Sequence, residues 1–320
     1  MTTPNYNQGG NNVANQFGMP LYGIAGTLPF GGNYFWVDET NGSDGNTGGP
    51  GDPFATLSQA LSKCVDNNND VIFLVGTVHL TATLTWSKSR THLIGLAPNL
   101  LSQARARISQ TGSTVFTPLV SVTASECIFR DIGTFHGFAN ASAQICVAVS
   151  GGRNEFTRCL FGGMGDATAA AQAGGRSLVL SGTTGENTFR GCQIGLDTIT
   201  ASAANASLEF SGGNPRNVFE DCIFPRMTSS ASALFITVGA SGVDRFNIFR
   251  RCLFINAIDS TSTTMTVGVS MNAAAGGNLV MQGSSMIGVT DLGDAGAFAN
   301  MLIDMPAPAA TTGGLAVNPS

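Results

Sequence analysis

The stretch Asn247-Ile-Phe-Arg-Arg-Cys-Leu-Phe254, NIFRRCLF, is one of four versions of a single phrase. NVFEDCIF begins at Asn217, NTFRGCQI at Asn187 and NEFTRCLF at Asn154, in steps of 33, 30 and 30 residues. Phe156, Phe189, Phe219 and Phe249 keep phase, as do Cys159, Cys192, Cys222 and Cys252. A degenerate copy, NLVMQGSSM, starts at Asn278, 31 residues on, and CIFRDIGTF sets Phe129 27 residues before Phe156. Between the copies lies a second apolar piece: ICVAVSGG, SLVLSG, SLEFSGG, LFITVG, TVGVSM. A period near 30 built from short β-type pieces and Gly/Ser/Asn turns is the mark of a solenoid.

The phrase itself predicts a corner. Phe at its third position and Cys at its sixth are an odd number apart, so an unbroken strand sends them to opposite faces. A bend at the two residues between them (Thr-Arg, Arg-Gly, Glu-Asp, Arg-Arg) turns both inward. Phe161, Ile194, Phe224 and Phe254 then return to the core two residues after each Cys. Phe, Cys and Phe/Ile are each expected to form an interior stack, one member per coil, spaced ~4.8 Å along the axis. The leading Asn is expected to stack as well, bonding the Asn above and below and adopting the left-handed turn conformation.

Composition narrows the class. The 320 residues are 43% hydrophobic, enough for a sizeable core, yet only 11% charged, against ~25% in ordinary soluble domains. Lys63 and Lys88 are the only lysines. A neutral surface of Ser, Thr, Asn and Gly suits a chain partly covered by neighbours, a component of an assembly. The net charge of −5 and pI near 5.1 argue against a nucleic-acid partner. No apolar run approaches the ~18 residues of a membrane span, and the opening MTTPNYNQGGNN has no signal-peptide pattern. Seven cysteines, an odd number with no C-x-x-C pair, read as reduced thiols.

Three segments are expected: an extended N-terminal arm over 1–30 with anchors at Phe17, Tyr22, Leu28 and Phe30, a β-helix over 31–305, and a C-terminal tail over 306–320. Tyr34 to Val37 predicts a strand. Asp52-Pro53 predicts a helix start, and Phe54, Leu57, Ala60, Leu61, Cys64 and Val65 an amphipathic helix over 53–65 that caps the open N-terminal end. Residues 288–305, with Leu292, Phe298 and Leu302, are the candidate cover for the other end.

The opening YFWVDETNGSDGNTGGPGDPFATLSQAL, followed by VIFLVG and HLIGLAP, resembles the pectin-lyase-like right-handed parallel β-helices. The form in tailed-bacteriophage virion proteins is the nearest, with Tyr22-Gly-Ile-Ala-Gly-Thr-Leu-Pro-Phe30 matching its YGxxGTLPF element. The resemblance covers about residues 20–290 and implies an all-β right-handed parallel β-helix. It is specific for fold and not for function, since the fold serves lyases, hydrolases, adhesins and passive virion parts.

Each candidate for chemistry has a plainer account. Glu220-Asp221 is an adjacent acidic pair at a corner, but its neighbours carry Arg, which favours an acid/base ladder. His136-Gly137 is similar to the His-Gly of polygalacturonases, without their partner motifs. Asp38, Glu39, Asp44 and Asp52 crowd a Gly-rich loop, where turn formation and helix capping explain them as well as a cation does. The Cys column reads as core packing, and Gly162-Gly163-x-Gly165 as a coil turn rather than a phosphate loop. No catalytic, cofactor or metal residue is therefore assigned. The expectation is a non-enzymatic bacteriophage virion protein, a capsid decoration (cement) or head-spike protein. It would be trimeric and bound to the major capsid protein or other virion proteins through its terminal arms. The alternative is a tailspike-type polysaccharide depolymerase or a host-binding fibre, with host surface polysaccharide as ligand.

Overall fold

A computed structural model describes residues 15–16, 19–20, 32–97, 105–111, 114–256 and 262–304. Most of the arm, with its four anchors and the YGxxGTLPF element, and the whole tail lie outside the described residues. From Tyr34 onward the chain winds through three parallel sheets of 10, 8 and 8 strands, forming a right-handed parallel β-helix. Each turn visits the first sheet, the second and the third before returning. One coil runs Glu155–Thr157, Leu160–Gly162, Arg176–Leu180, and the next begins at Thr188–Arg190.

The repeated phrase builds the interior as its spacing predicts. Phe129 pairs in register with Phe156, then Phe189, Phe219 and Phe249. Their rings stack at centroid distances of 4.8, 4.8, 4.5 and 4.6 Å, tilted by no more than 7°. The thiols of Cys159, Cys192, Cys222 and Cys252 contact the carbonyl oxygens of Phe129, Phe156, Phe189 and Phe219 at 3.3–3.5 Å. All seven cysteines are free and buried.

The asparagines form the expected column, with a corrected turn geometry. Backbone N–H groups of Asn154, Asn187 and Asn217 donate to Oδ1 of Asn187, Asn217 and Asn247 at 3.0, 2.9 and 2.8 Å. The Asn residues are not left-handed. Arg153, Glu186 and Arg216, immediately before them, take φ of 59, 58 and 55°. The inward amide is committed to the next coil, so the preceding, outward-facing residue makes the turn.

The last copy is also corrected. Asn247 pairs with Leu279, not Asn278, and Phe249 with Met281. Ser284 occupies the cysteine position and accepts from Cys252 N at 3.0 Å. The final step is therefore 32 residues, with Leu, Met and Ser in place of Asn, Phe and Cys.

At the N-terminal end the strand is Tyr34–Asp38 and the helix, α1, is Leu57–Lys63, not 53–65. Phe54 exchanges backbone hydrogen bonds with the strand: its N–H donates to Trp36 O, and its O accepts from Asp38 N. That pairing holds 53–55 extended and delays the helix. Thr56 is the N-cap, accepting from Gln59 N at 3.1 Å. Leu57, Ala60 and Leu61 join the main core, as a cap requires. Thr56→Ala is expected to cost about 1 kcal/mol, read from the denaturant midpoint; an unchanged midpoint would show that α1 is held by packing alone.

At the C-terminal end, Val289–Gly293 and Met301–Asp304 are the last strands of the third and first sheets, joined by a helix Ala295–Asn300 with Asp294 as N-cap. Leu292 is buried there, whereas Leu302 is 59% exposed.

Candidate functional site

Two corners of the coil carry the charge. At the corner between the first and second sheets, Asp131, Arg158, Gly191, Asp221, Arg251 and Gly283 stack with φ of 51–60°. This left-handed turn costs a residue other than Gly about 1–2 kcal/mol. Here the outward side chain ties the coil to its neighbour. Arg158 grips Asp131 with two bonds of 2.7 and 2.6 Å. Arg251 grips Asp221 at 2.7 and 2.9 Å and reaches Glu220 at 2.9 Å, while Arg190 approaches Glu220 at 3.1 Å. The pair Glu220-Asp221 thus sits in an acid/base ladder. Arg251, then Arg190, hold the Glu220 carboxyl below the usual range, and Arg251 does the same for Asp221.

A second ladder precedes the asparagines. Arg90 pairs with Glu126 at 2.7 Å, and Glu186 accepts from Arg153 at 2.9 Å and Arg216 at 2.6 Å. Beside it runs a groove of about 270 Å³ lined by Ser125, Arg153, Thr183, Thr184, Arg216 and Arg245. Its hydroxyls and guanidinium groups can hydrogen-bond a polar or anionic ligand. Two carboxylates line it, Glu186 and Asp244; Glu186 is held ionised by Arg153 and then Arg216, which makes it an acceptor and a poor proton donor. Sequence reasoning missed this groove, although the charged residues directly before Asn154, Asn187 and Asn217 were visible.

The other candidates lie apart. His136 is buried, its Nε2 3.1 Å from Phe116 O and its ring stacked on Phe116; burial lowers its pKa. In the acidic loop each carboxylate serves its own donors. Asp38 accepts from Thr40 and Asn41, Asp44 from Ala55 and Thr56, and Asp52 from Thr47, while Glu39 meets His79. Burial pushes Cys64, Cys127 and Cys146 up to about 12, 11 and 12, and raises Cys192. All seven thiols are buried, so none is expected to react with a maleimide in the native protein at neutral pH, with all becoming reactive on unfolding. Labelling of Cys192 in the folded protein would contradict the stacked interior.

The ladders predict acid sensitivity. Folded-state pKa values of Glu186, Glu220 and Asp221 are depressed, so their contribution is full above the unfolded-state values, ~4, and is lost as pH falls through the folded values. Glu220→Gln should destabilise at neutral pH, with the gap from wild type closing below ~4. A gap constant with pH would remove the ladder's electrostatic role.

The fold is shared with known enzymes. The chain is similar to pectin methylesterase PemA from Erwinia chrysanthemi, with a TM-score of 0.52 and 13% identity over 81% of this chain and 80% of that one. It is similar to pectate lyase Pel9A, with a TM-score of 0.53 and 16% identity, covering 83% of this chain and 65% of the lyase. At such identity the likeness concerns the pectin-lyase-like fold. No family model and no curated protein matches the chain.

Proposed function

We propose that this chain is a non-enzymatic structural protein of a bacteriophage virion, a capsid decoration (cement) or head-spike protein. The observation that carries this reading is how the corner charges are spent. Asp131, Glu186, Glu220 and Asp221 each bind an arginine of an adjacent coil. Charge here fastens coil to coil and makes a stiff column. Away from these ladders the surface is poor in charge and rich in Ser, Thr, Asn and Gly, which neighbours can cover with little desolvation of ions. Its partners in this reading are the major capsid protein or other virion proteins and two further copies of itself, reached through the terminal arms. It would be assembled in the host cytoplasm and reside on the capsid. Purified protein mixed with empty shells should co-sediment with them, and a variant lacking 1–30 and 306–320 should not. Equal sedimentation of the two would remove the role of the arms.

A second reading is favoured by the groove beside Glu186 and by the likeness to a pectin methylesterase and a pectate lyase. In it the column binds or cleaves host surface polysaccharide. Release of oligosaccharides from such a polysaccharide, abolished by Glu186→Gln, would establish this reading and end the first.

A further inference from the structure

Arg226 follows the second-sheet strand Ile223–Pro225 and is 2% exposed. Its guanidinium is held by neutral acceptors. Nη1 donates to Leu234 O at 3.0 Å and to Ser207 Oγ at 3.4 Å, and Nη2 donates to Asn205 Oδ1. Nε is buried and meets no acceptor. Among the described residues no carboxylate pairs with Arg226. The charged side chain that acts on it is Arg176, of the same sign, and Arg176 is itself balanced by Glu209 at 2.6 Å. One positive charge is therefore left over inside the protein. Burial brings the guanidinium down to about 9, so it stays protonated at neutral pH.

Beside Arg226 lies a cavity of about 10 Å³. Met164, Ile199, Ala201 and Met227 wall it, and Ser207 and Arg226 supply its polar side chains. The space holds one small body, a water molecule or a monatomic ion.

We propose that this cavity binds a small monovalent anion of the halide class, held by the Arg226 guanidinium and the Ser207 hydroxyl. Charge selects an anion, because a buried cation without a counter-charge is costly and a water brings none. Size excludes sulfate, phosphate and organic carboxylates. The apolar walls keep solvent away, so the attraction is not screened as it is at the surface. Ser207 accepts from Arg226 through its oxygen and keeps its own proton to donate. The ion would join the coil of Asn205 and Ser207 to the coil of Arg226 and Leu234 at the base of their outer loops. The inference is independent of the role proposed above.

The test is thermal unfolding of the full chain in sodium bromide against sodium gluconate at equal ionic strength. The midpoint should rise saturably with bromide, by roughly 5 °C at a hundredfold excess over the dissociation constant, and stay flat in gluconate. Arg226→Met should abolish the bromide dependence. Should that variant not fold, Ser207→Ala serves instead and should require a higher bromide concentration for the same rise. Crystals soaked in bromide should show an anomalous peak beside Arg226 Nε. Equal midpoints in the two salts, a bromide effect that persists unchanged in either variant, or no anomalous peak in the cavity would overturn the proposal.

Discussion

Phe189→Ala is expected to lower the unfolding free energy by about 3–5 kcal/mol. The ring has no exposed surface and sits in the middle of the column, stacked at 4.8 Å on Phe156 and 4.5 Å on Phe219. It also meets Phe161 edge-on at 5.9 Å. Truncation removes the apolar transfer term and leaves a cavity. The backbone can close that cavity little, because parallel hydrogen bonds fix the coil on both sides. Stability in a solenoid is carried by nearest-neighbour interfaces, and this residue belongs to two of them. By contrast Arg190→Ala, at a 53% exposed side chain, should cost no more than about 1 kcal/mol. Denaturant midpoints compare the two. A loss below about 1 kcal/mol for Phe189→Ala would mean that the coils slide to refill the space.

Asn187→Asp should be comparably severe, about 3–5 kcal/mol at neutral pH. Asn187 is fully buried. Its Nδ2 donates to Asn217 Oδ1 at 3.0 Å and to Gly151 O at 3.2 Å, while its Oδ1 accepts from Asn154 N. An aspartate keeps the acceptor but turns the donor into a second acceptor facing two oxygens. Desolvation and this repulsion raise the carboxyl's folded pKa above its unfolded value of ~3.9. The charge penalty is therefore full above the folded pKa, fades as pH falls through it, and is gone below the unfolded one. The variant should recover part of its deficit on acidification, even as wild type loses its ladder stabilisation. A deficit independent of pH would show that the new side chain is not held in the column.

The interior was readable because one mould is filled repeatedly. The spacing of Phe156, Phe189, Phe219 and Phe249 reports a constant coil length, and the Phe-x-x-Cys offset reports the bend. Where the mould relaxes, the reading slips. Asn278 looked like a ladder member, yet Leu279 occupies that position, because an apolar side chain fills the corner at the last coil and the chain gains a residue. The start of α1 was misplaced for a different reason. Asp52-Pro53 is a sound local helix signal, but pairing of Phe54 with Trp36 and Asp38 is a contact between segments distant in sequence, and it overrides the local preference. VIFLV, from Val71 to Val75, also hides its second role. Val71 and Phe73 point away from the core and form an outer apolar cluster with Trp36 and Ile94.

The site was less legible than the fold. Glu220-Asp221 was recognisable as half of a charge ladder, since alternation of sign at one corner is written in the repeat. The groove beside Glu186 required knowing that Arg153, Arg216 and Arg245 converge from three coils. Arg226 gave no warning at all. In sequence it is one more residue after a Phe-Pro step, and its burial follows from outer loops of unequal length folding over the second sheet.

Taken alone, the amino-acid order specified the period, the inward-facing set and the solenoid class, because each follows from local alternation repeated at a near-constant interval. Folding in three dimensions settled which charges neutralise one another, where the caps begin and that Arg226 is buried with no carboxylate partner among the described residues. Those outcomes depend on distances between coils about 30 residues apart, and Coulomb energies and desolvation respond to distance and burial rather than to position along the chain.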